Sequence, residues 1–261
     1  MNITSVNNLQ IKNLIKLRKS VERKKQGLII IEGHHELEIA VMSGLQIKDL
    51  YYSKNFNKSN LTIPDSLNQN KIEVSENVFE KIAFRENPDG FLATAVLPKT
   101  DLNQIKLKKN SLVIVLEAVE KPGNLGAILR TADAVGADAF IISDPKTDIY
   151  NQNVIRSSLG TVFSNQIGAG ANTEVLEWLH ANKIKTIAAT PDTDKIYTNS
   201  DFRGPAAIII GTEHEGLSDF WLTQADEKIK IPMNGKIDSL NASVSAGVIL
   251  FEAFRQRAKK S

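Results

Sequence analysis

Apolar positions along this chain follow two rhythms, one helical and one of strands. Leu9, Ile11, Leu14, Ile15 and Leu17 recur at helical spacing with lysines on the other side, which predicts a short amphipathic helix. After Gly27 the run Leu28-Ile29-Ile30-Ile31 predicts a buried strand, and Glu32-Gly33-His34-His35 leads into a helix carrying Leu37, Ile39, Ala40, Val41 and Met42, ended by Gly44. Further strands are expected over 47–52, 72–74 and 92–97, around a helix near 76–84. Residues 99–110, headed by Pro98, are polar and lysine-rich and read as a linker. Beyond them strands are expected at 112–116, 139–142, 161–167, 184–189, 206–210 and 228–231, with helices at 125–135, 173–181, 218–225 and 241–257. Nearly continuous apolar strands between helices predict an α/β fold, a mostly parallel sheet covered by helices. The expected plan is a small α/β domain over 1–98, the linker 99–110, and a larger domain over 111–261.

The last strand–helix unit has the most definite pattern. Residues 228–231 alternate polar and apolar, Pro232 stops the strand, and Gly235 allows a tight turn. Ser239 or Asn241 offers an N-cap oxygen to the next helix. The first half of that helix (Ala242, Val244, Ala246, Gly247, Val248, Ile249, Leu250, Phe251) is small and apolar nearly all round, which predicts burial, and its end carries Arg255, Arg257, Lys259 and Lys260. The Ser-Leu-Asn before it presents polar groups and free backbone at a helix N-terminus, a natural small-molecule site, although a well-capped strand–turn–helix explains it as well.

Charge changes the picture only through its distribution. The chain is formally +2, yet residues 1–27 hold Lys12, Lys16, Arg18, Lys19, Arg23, Lys24 and Lys25 against Glu22 alone. Such a block suggests contact with phosphates, a solvated helix face being the alternative. There is no cysteine, so disulfides and thiolate metal sites are excluded and a cytoplasmic protein is expected. No apolar run approaches membrane-spanning length, and the N-terminus lacks a basic-then-apolar signal pattern. His34, His35, His180 and His214 lack metal-ligand spacing, so no metal is expected. The adjacent His34 and His35 could meet RNA or simply start a helix. Gly168-Ala169-Gly170 lacks the third glycine of a dinucleotide fingerprint and reads as a loop, and no P-loop is present.

Three stretches of the larger domain follow strands and could meet at one sheet edge. They are Lys121-Pro122-Gly123-Asn124-Leu125-Gly126-Ala127-Ile128-Leu129-Arg130-Thr131-Ala132, with Asn124 at a cap position, Ile210-Gly211-Thr212-Glu213-His214-Glu215-Gly216-Leu217-Ser218, and the segment ending in Ser239-Leu240-Asn241. As an ordered set, supported by Arg156-Ser157-Ser158-Leu159-Gly160, they resemble the SpoU (TrmH-type) RNA 2′-O-ribose methyltransferases of the SPOUT superfamily over residues 111–258. Ile31-Glu32-Gly33 and Asn87-Pro88-Asp89-Gly90 give the first domain the look of the substrate-binding domain that several members carry. Lys121 stands where an acidic residue is common, and His214 where glycine is common; these departures bear on substrate preference.

The resemblance implies a C-terminal trefoil knot, S-adenosylmethionine as cofactor, and a homodimer. It implies that Gly211, Ile231 and Leu240 hold the cofactor, and that Asn124, Arg130, Glu213, Ser239 and Asn241 form the catalytic and substrate-orienting set. Family accounts make the matched arginine the base, but a free guanidinium stays charged to about pH 12, so Arg130 serves equally well as a clamp on the phosphate beside the target ribose. The function implied is 2′-O-methylation of structured RNA, ribosomal in preference to transfer RNA. A non-catalytic RNA-binding or ribosome-assembly protein, and a base methyltransferase on the same fold, are the competing readings.

Overall fold

The computed structural model describes residues 2–56, 67, 71–212, 215–237 and 239–258. They divide into two compact units, Met1–Pro98 with Asp148–Ser164, and Lys99–Thr147 with Asn165–Ser261.

The first unit is built on a five-stranded mixed sheet of β1 (Asn2–Ile3), β2 (Leu28–Glu32), β3 (Ile47–Tyr52), β4 (Lys71–Val74) and β5 (Phe91–Val96), in the order β1-β4-β3-β5-β2. Strand β5 runs antiparallel to both β3 and β2. The expected basic helix is two helices, α1 (Leu9–Lys16) and α2 (Ser20–Gln26), followed by α3 (His34–Met42) and α4 (Glu76–Ile82). Ile11, Leu14 and Leu17 join Ile30, Tyr51, Val78, Phe79 and Leu92 in one core with the lysines of α1 outward, whereas Leu9, expected in the same apolar stripe, opens the helix exposed. The carboxylate of each family-like motif holds backbone beside the other motif. Glu32 accepts the N–H groups of Phe84 (2.8 Å) and Arg85 (3.1 Å), and Asp89 accepts those of His34 (2.7 Å) and Phe91 (3.2 Å). His34 is buried edge-on against Phe91. Its role in this unit is structural.

The segment Asp148–Ser164, expected inside the larger domain, is part of this first unit. It carries the helix Gln152–Ser157, which packs on β2. Residues 161–167 were expected as a strand because Thr161, Val162 and Phe163 suit one. Local bonds prevail instead: Thr161 Oγ1 donates to Ser158 O at 2.8 Å, Phe163 N to Gly160 O at 2.9 Å, and Ser164 Oγ to Thr161 O at 3.1 Å. Arg23 is the other tie. It is 3 % exposed, and its guanidinium donates to Asp148 Oδ2 at 3.0 and 2.5 Å and to the carbonyls of Leu17 and Arg18.

The second unit holds a six-stranded, all-parallel sheet of β6 (Leu112–Glu117), β7 (Ala139–Ser143), β8 (Ile167–Gly170), β9 (Lys185–Ala189), β10 (Ala206–Ile210) and β11 (Glu227–Ile229). Their order is β11-β9-β10-β6-β7-β8, so the chain reverses its direction of travel at the β6/β10 junction. Val113, Val115, Ala207 and Ile209 pack on one face with Val175, Leu179 and Trp221 of two helices, Asn172–Ala181 and Asp219–Gln224. Ile114 and Ile208 point the other way and are equally buried, so both faces are covered. The two remaining helices, Pro122–Ala134 and Ala242–Arg257, pack on one another.

Three expectations are corrected here. Gly168-Ala169-Gly170 is edge strand β8 and not a loop. A Cβ at Gly168 would lie 2.6 Å from Leu102 and 2.9 Å from Ile105, so the glycine admits two side chains of the supposed linker. Residues 99–110 accordingly pack with the second unit, through Leu102, Ile105 and Leu107. In the last helix Val244 and Phe251 are exposed, since only one side of it meets the sheet and its helical neighbour.

Truncating Arg23 to alanine removes the guanidinium from a buried pair and should lower unfolding free energy by about 3 kcal/mol, the low end for such a loss because Asp148 retains some water. Burial alone would raise the Asp148 pKa, but bonds from Arg23 and Ser20 outweigh it and hold the carboxyl below its ordinary 3.8. A lowered folded-state pKa gives stability that is present above 3.8 and lost as pH falls through the lowered value. Urea titrations of wild type and Arg23→Ala should therefore differ at neutral pH and converge in strong acid; equal midpoints at pH 7 would refute the assignment.

Candidate functional site

Strands β9, β10 and β11 end at one sheet edge, and the backbone beyond them encloses a cavity of about 330 Å³. Its apolar wall includes Ile210, Leu217, Leu222, Ile229, Ile231 and Ile249, and its polar groups include Thr190, Glu215, Ser239 and Ser245. Gly211, Ile231 and Leu240, the expected cofactor residues, all line it, as does Ser239. That size and mixture suit a small molecule, for which pockets run from about 300 to 1,000 Å³.

The wall after β10 depends on one close approach. A Cβ at Gly211 would sit 2.1 Å from Gly216 O, 2.2 Å from Gly216 C and 2.5 Å from Leu217 N. Gly216 is held there because it exchanges backbone bonds with Thr212 at 3.0 and 3.2 Å, and Thr212 Oγ1 accepts from Glu215 N at 3.1 Å. Glu213 and His214, named from the sequence, lie outside the described residues.

Beside the cavity two helix N-termini meet. Asn241, directly after the lining residue Leu240, caps the helix Ala242–Arg257 by accepting from Ser243 N at 2.9 Å. Its Nδ2 donates to Asn124 Oδ1 at 3.3 Å. Asn241, and not Ser239, is thus the cap. Asn124 is not a cap at all: Lys121 holds that position, Pro122 opens the helix, and Asn124 is its third residue. The Nδ2 of Asn124 is buried with no hydrogen-bond partner among the described residues, an arrangement that costs about 1–3 kcal/mol unless a ligand oxygen accepts from it. Arg130 lies six residues further along the same helix, exposed, with no ion-pair partner among the described residues.

The structure therefore brings together Asn124, Asn241, Ser239, Leu240, Gly211 and Ile231, while Arg130 stands apart from the Asn124–Asn241 pair. Sequence reasoning missed Thr190 and Pro191. They follow β9, and the tendency of α/β sheets to bind ligands at carboxyl ends was the signal available. Among the seven basic residues expected at RNA, Lys12, Lys16, Arg18, Lys19, Lys24 and Lys25 are exposed. Arg23 is buried in its ion pair and committed to the fold, whereas Arg18 is anchored through Nη2 alone to the carbonyls of Lys81, Ile82 and Ala83 at the end of α4. Among the described residues no cluster of three His, Asp or Glu is placed to hold a metal ion.

Comparison with known proteins shows the family. Residues 111–251 match the model of the SpoU rRNA Methylase family, and residues 8–93 match the MRM3-like substrate binding domain. A 23S rRNA (uridine(2479)-2′-O)-methyltransferase of Streptomyces viridochromogenes is 29 % identical, covering 90 % of this chain and 85 % of its own. The 23S rRNA (guanosine(2553)-2′-O)-methyltransferase RlmP of Bacillus subtilis is also 29 % identical, covering 95 % and 97 %. The crystal structure of an AdoMet-bound rRNA methyltransferase from Sinorhizobium meliloti superposes with a TM-score of 0.89 at 27 % identity, over 99 % of both chains. By the extent of the family match and the site it encloses, this chain belongs to the SpoU rRNA methylase family.

Proposed function

We propose that the chain methylates the 2′-hydroxyl of a ribose in ribosomal RNA, using S-adenosylmethionine. The observation that carries this is the Asn124–Asn241 pair, with the Nδ2 of Asn124 buried and unpartnered among the described residues, set beside a cavity whose wall rests on the close approach to Gly211. The residues fit the cofactor: apolar walls suit an adenine, and Thr190, Ser239, Glu215 and Ser245 suit the polar ribose and amino-acid parts. Gly211, Ile231 and Leu240 would hold it. The chemistry it supplies when bound is an electrophilic methyl carbon on a sulfonium.

The chain's own groups supply position. Asn124 and Asn241 orient the ribose by hydrogen bonds, with Glu213 and Ser239 completing the set. Arg130, exposed and unpaired among the described residues, clamps the phosphate beside the target and stabilises the forming alkoxide. The relatives act on a uridine and on a guanosine, so the base is not a family constant.

The finer parts of the reading are of the same kind. The segment after β11 is threaded as a trefoil knot, an exception to the general absence of knots. The protein works as a homodimer, for which the last helix presents an exposed apolar stripe of Val244, Phe251 and Phe254. Residues 1–98 bind the RNA through the exposed lysines. The cytoplasm is the compartment that fits an RNA target and a cysteine-free chain.

Three measurements test this reading. Calorimetry on metal-free protein should show S-adenosylmethionine binding, and Gly211→Ala should weaken it at least about tenfold because its Cβ displaces the Gly216–Leu217 backbone; undiminished affinity would break the site assignment. Arg130→Ala should lose methyl transfer by at least about a hundredfold with cofactor affinity unmoved, and Arg130→Lys should recover little. Full activity of the alanine variant would remove Arg130 from the mechanism. Changing Lys12, Lys16 and Lys24 together to glutamine should flatten the log–log salt dependence of RNA affinity by about 2, at about 0.7–0.9 per phosphate contact. An unchanged slope would move the RNA surface elsewhere.

A further inference from the structure

Glu117 ends central strand β6 and has none of the roles above, yet it is only 4 % exposed. Its carboxylate gathers donors from two other elements. Oε2 accepts from Ser218 N at 2.8 Å, and Oε1 accepts from Ser218 Oγ at 2.5 Å and from Asn172 Nδ2 at 2.8 Å. Asn172 opens the helix Asn172–Ala181, and its own Oδ1 accepts from Trp221 Nε1 at 2.8 Å and from Ser143 Oγ. Its backbone N–H donates to Asp144 Oδ1 at 3.1 Å. The ends of β6 and β7 thus converge on the start of one helix and on Ser218.

Ser218 closes the loop that begins at Gly211. Between them, Gly216 and Leu217 press on Gly211 and form part of the cavity wall. We propose that Glu117 is a positioning residue for the cofactor: by fixing Ser218 it holds Gly216 and Leu217 in register against Gly211, and so sets the shape of the cavity. This rests on the methyl-transfer reading given above.

The chemistry of the network requires a carboxylate at one of two places. A carboxylate only accepts, and it has enough lone pairs for all three donors. A glutamine at 117 has one oxygen for the two carboxylate positions, so its NH₂ must face either Asn172 Nδ2 or Ser218 N, two donors face to face in both orientations. Asn172 cannot relieve this by flipping, because its Oδ1 already serves Trp221 and Ser143. Moving the charge restores the balance. In Glu117→Gln/Asn172→Asp, the glutamine NH₂ donates to the new aspartate and to Ser218 Oγ, while its oxygen accepts from Ser218 N.

The test compares wild type, Glu117→Gln and the double variant by two readouts. One is S-adenosylmethionine affinity by calorimetry, at a temperature where all three have the same circular dichroism. The other is amide exchange at Gly216 and Ser218 in cofactor-free protein. Glu117→Gln should lose affinity at least about tenfold, matching one buried donor left unpaired, and both amides should exchange faster. The double variant should recover both to within about threefold. Wild-type affinity and exchange in Glu117→Gln would overturn the proposal, as would a folded double variant no better than the single one. If Glu117→Gln does not fold, Ser218→Ala removes one of the three bonds, and an unchanged Gly216 exchange rate in that variant would equally overturn it. Because exchange is read without cofactor, the positioning role and the methyl-transfer reading fail separately: wild-type protein that binds no cofactor defeats the reading, whereas exchange insensitive to the substitutions defeats the role.

Discussion

The backbone of Gly216 and Leu217 lies where a side chain at position 211 would have to be. A hydrogen atom there is the condition for the loop to fold back, and the fold-back makes the cavity wall. The rest of the site is arranged around that contact. Strand β10 delivers Gly211 at the edge of a sheet whose strands all point the same way, so the ends of β9 and β11 lie beside it without any long excursion of the chain. The helix that starts after Asn241 then brings its own N-terminus to the same place. A parallel sheet collects loops at one end, and a close backbone contact decides which of those loops encloses space.

The sequence disclosed the sheet more readily than the site. Strand β10, and β6 up to its final Glu117, are apolar because helices cover both faces, and their expected limits differ from those observed by at most one residue. Asn241 was legible as a cap, since an asparagine before a run of small apolar residues has that meaning locally. The partner of Asn241 was not legible. Asn124 is far away in sequence, and no periodicity records a bond between two helix starts. Gly168 and Gly170 misled for a related reason. Their missing side chains signify a loop when neighbours are ignored and an accommodated pair of leucine and isoleucine side chains once the fold is known. Thr161–Phe163 shows the reverse error, strand-forming residues held in turns by bonds to the residues just before them.

The basic N-terminal block also separates on inspection into two kinds of cation. Counting charge treats all seven residues alike, whereas the fold buries Arg23, anchors exposed Arg18 at one nitrogen, and leaves five lysines in water. Arginine's planar fork reaches several carbonyls or a carboxylate at once, and both arginines do so: Arg18 over the end of α4, and Arg23 between two carbonyls and Asp148. Lysine's single ammonium on a flexible stem gains little from such internal work and stays in water. Net charge therefore overstates the number of groups free to meet a polyanion.

The membership of Asp148–Ser164 in the first unit has a consequence for how the protein is made. A chain leaving the ribosome usually completes its N-terminal body before the next begins. Here the piece that Arg23 and β2 require appears only after strands β6 and β7 have already emerged. At roughly 5–20 residues per second, the first body waits several seconds, incomplete, while part of the second accumulates beside it. Folding during synthesis is for this protein interleaved, with neither body able to finish before the other has started.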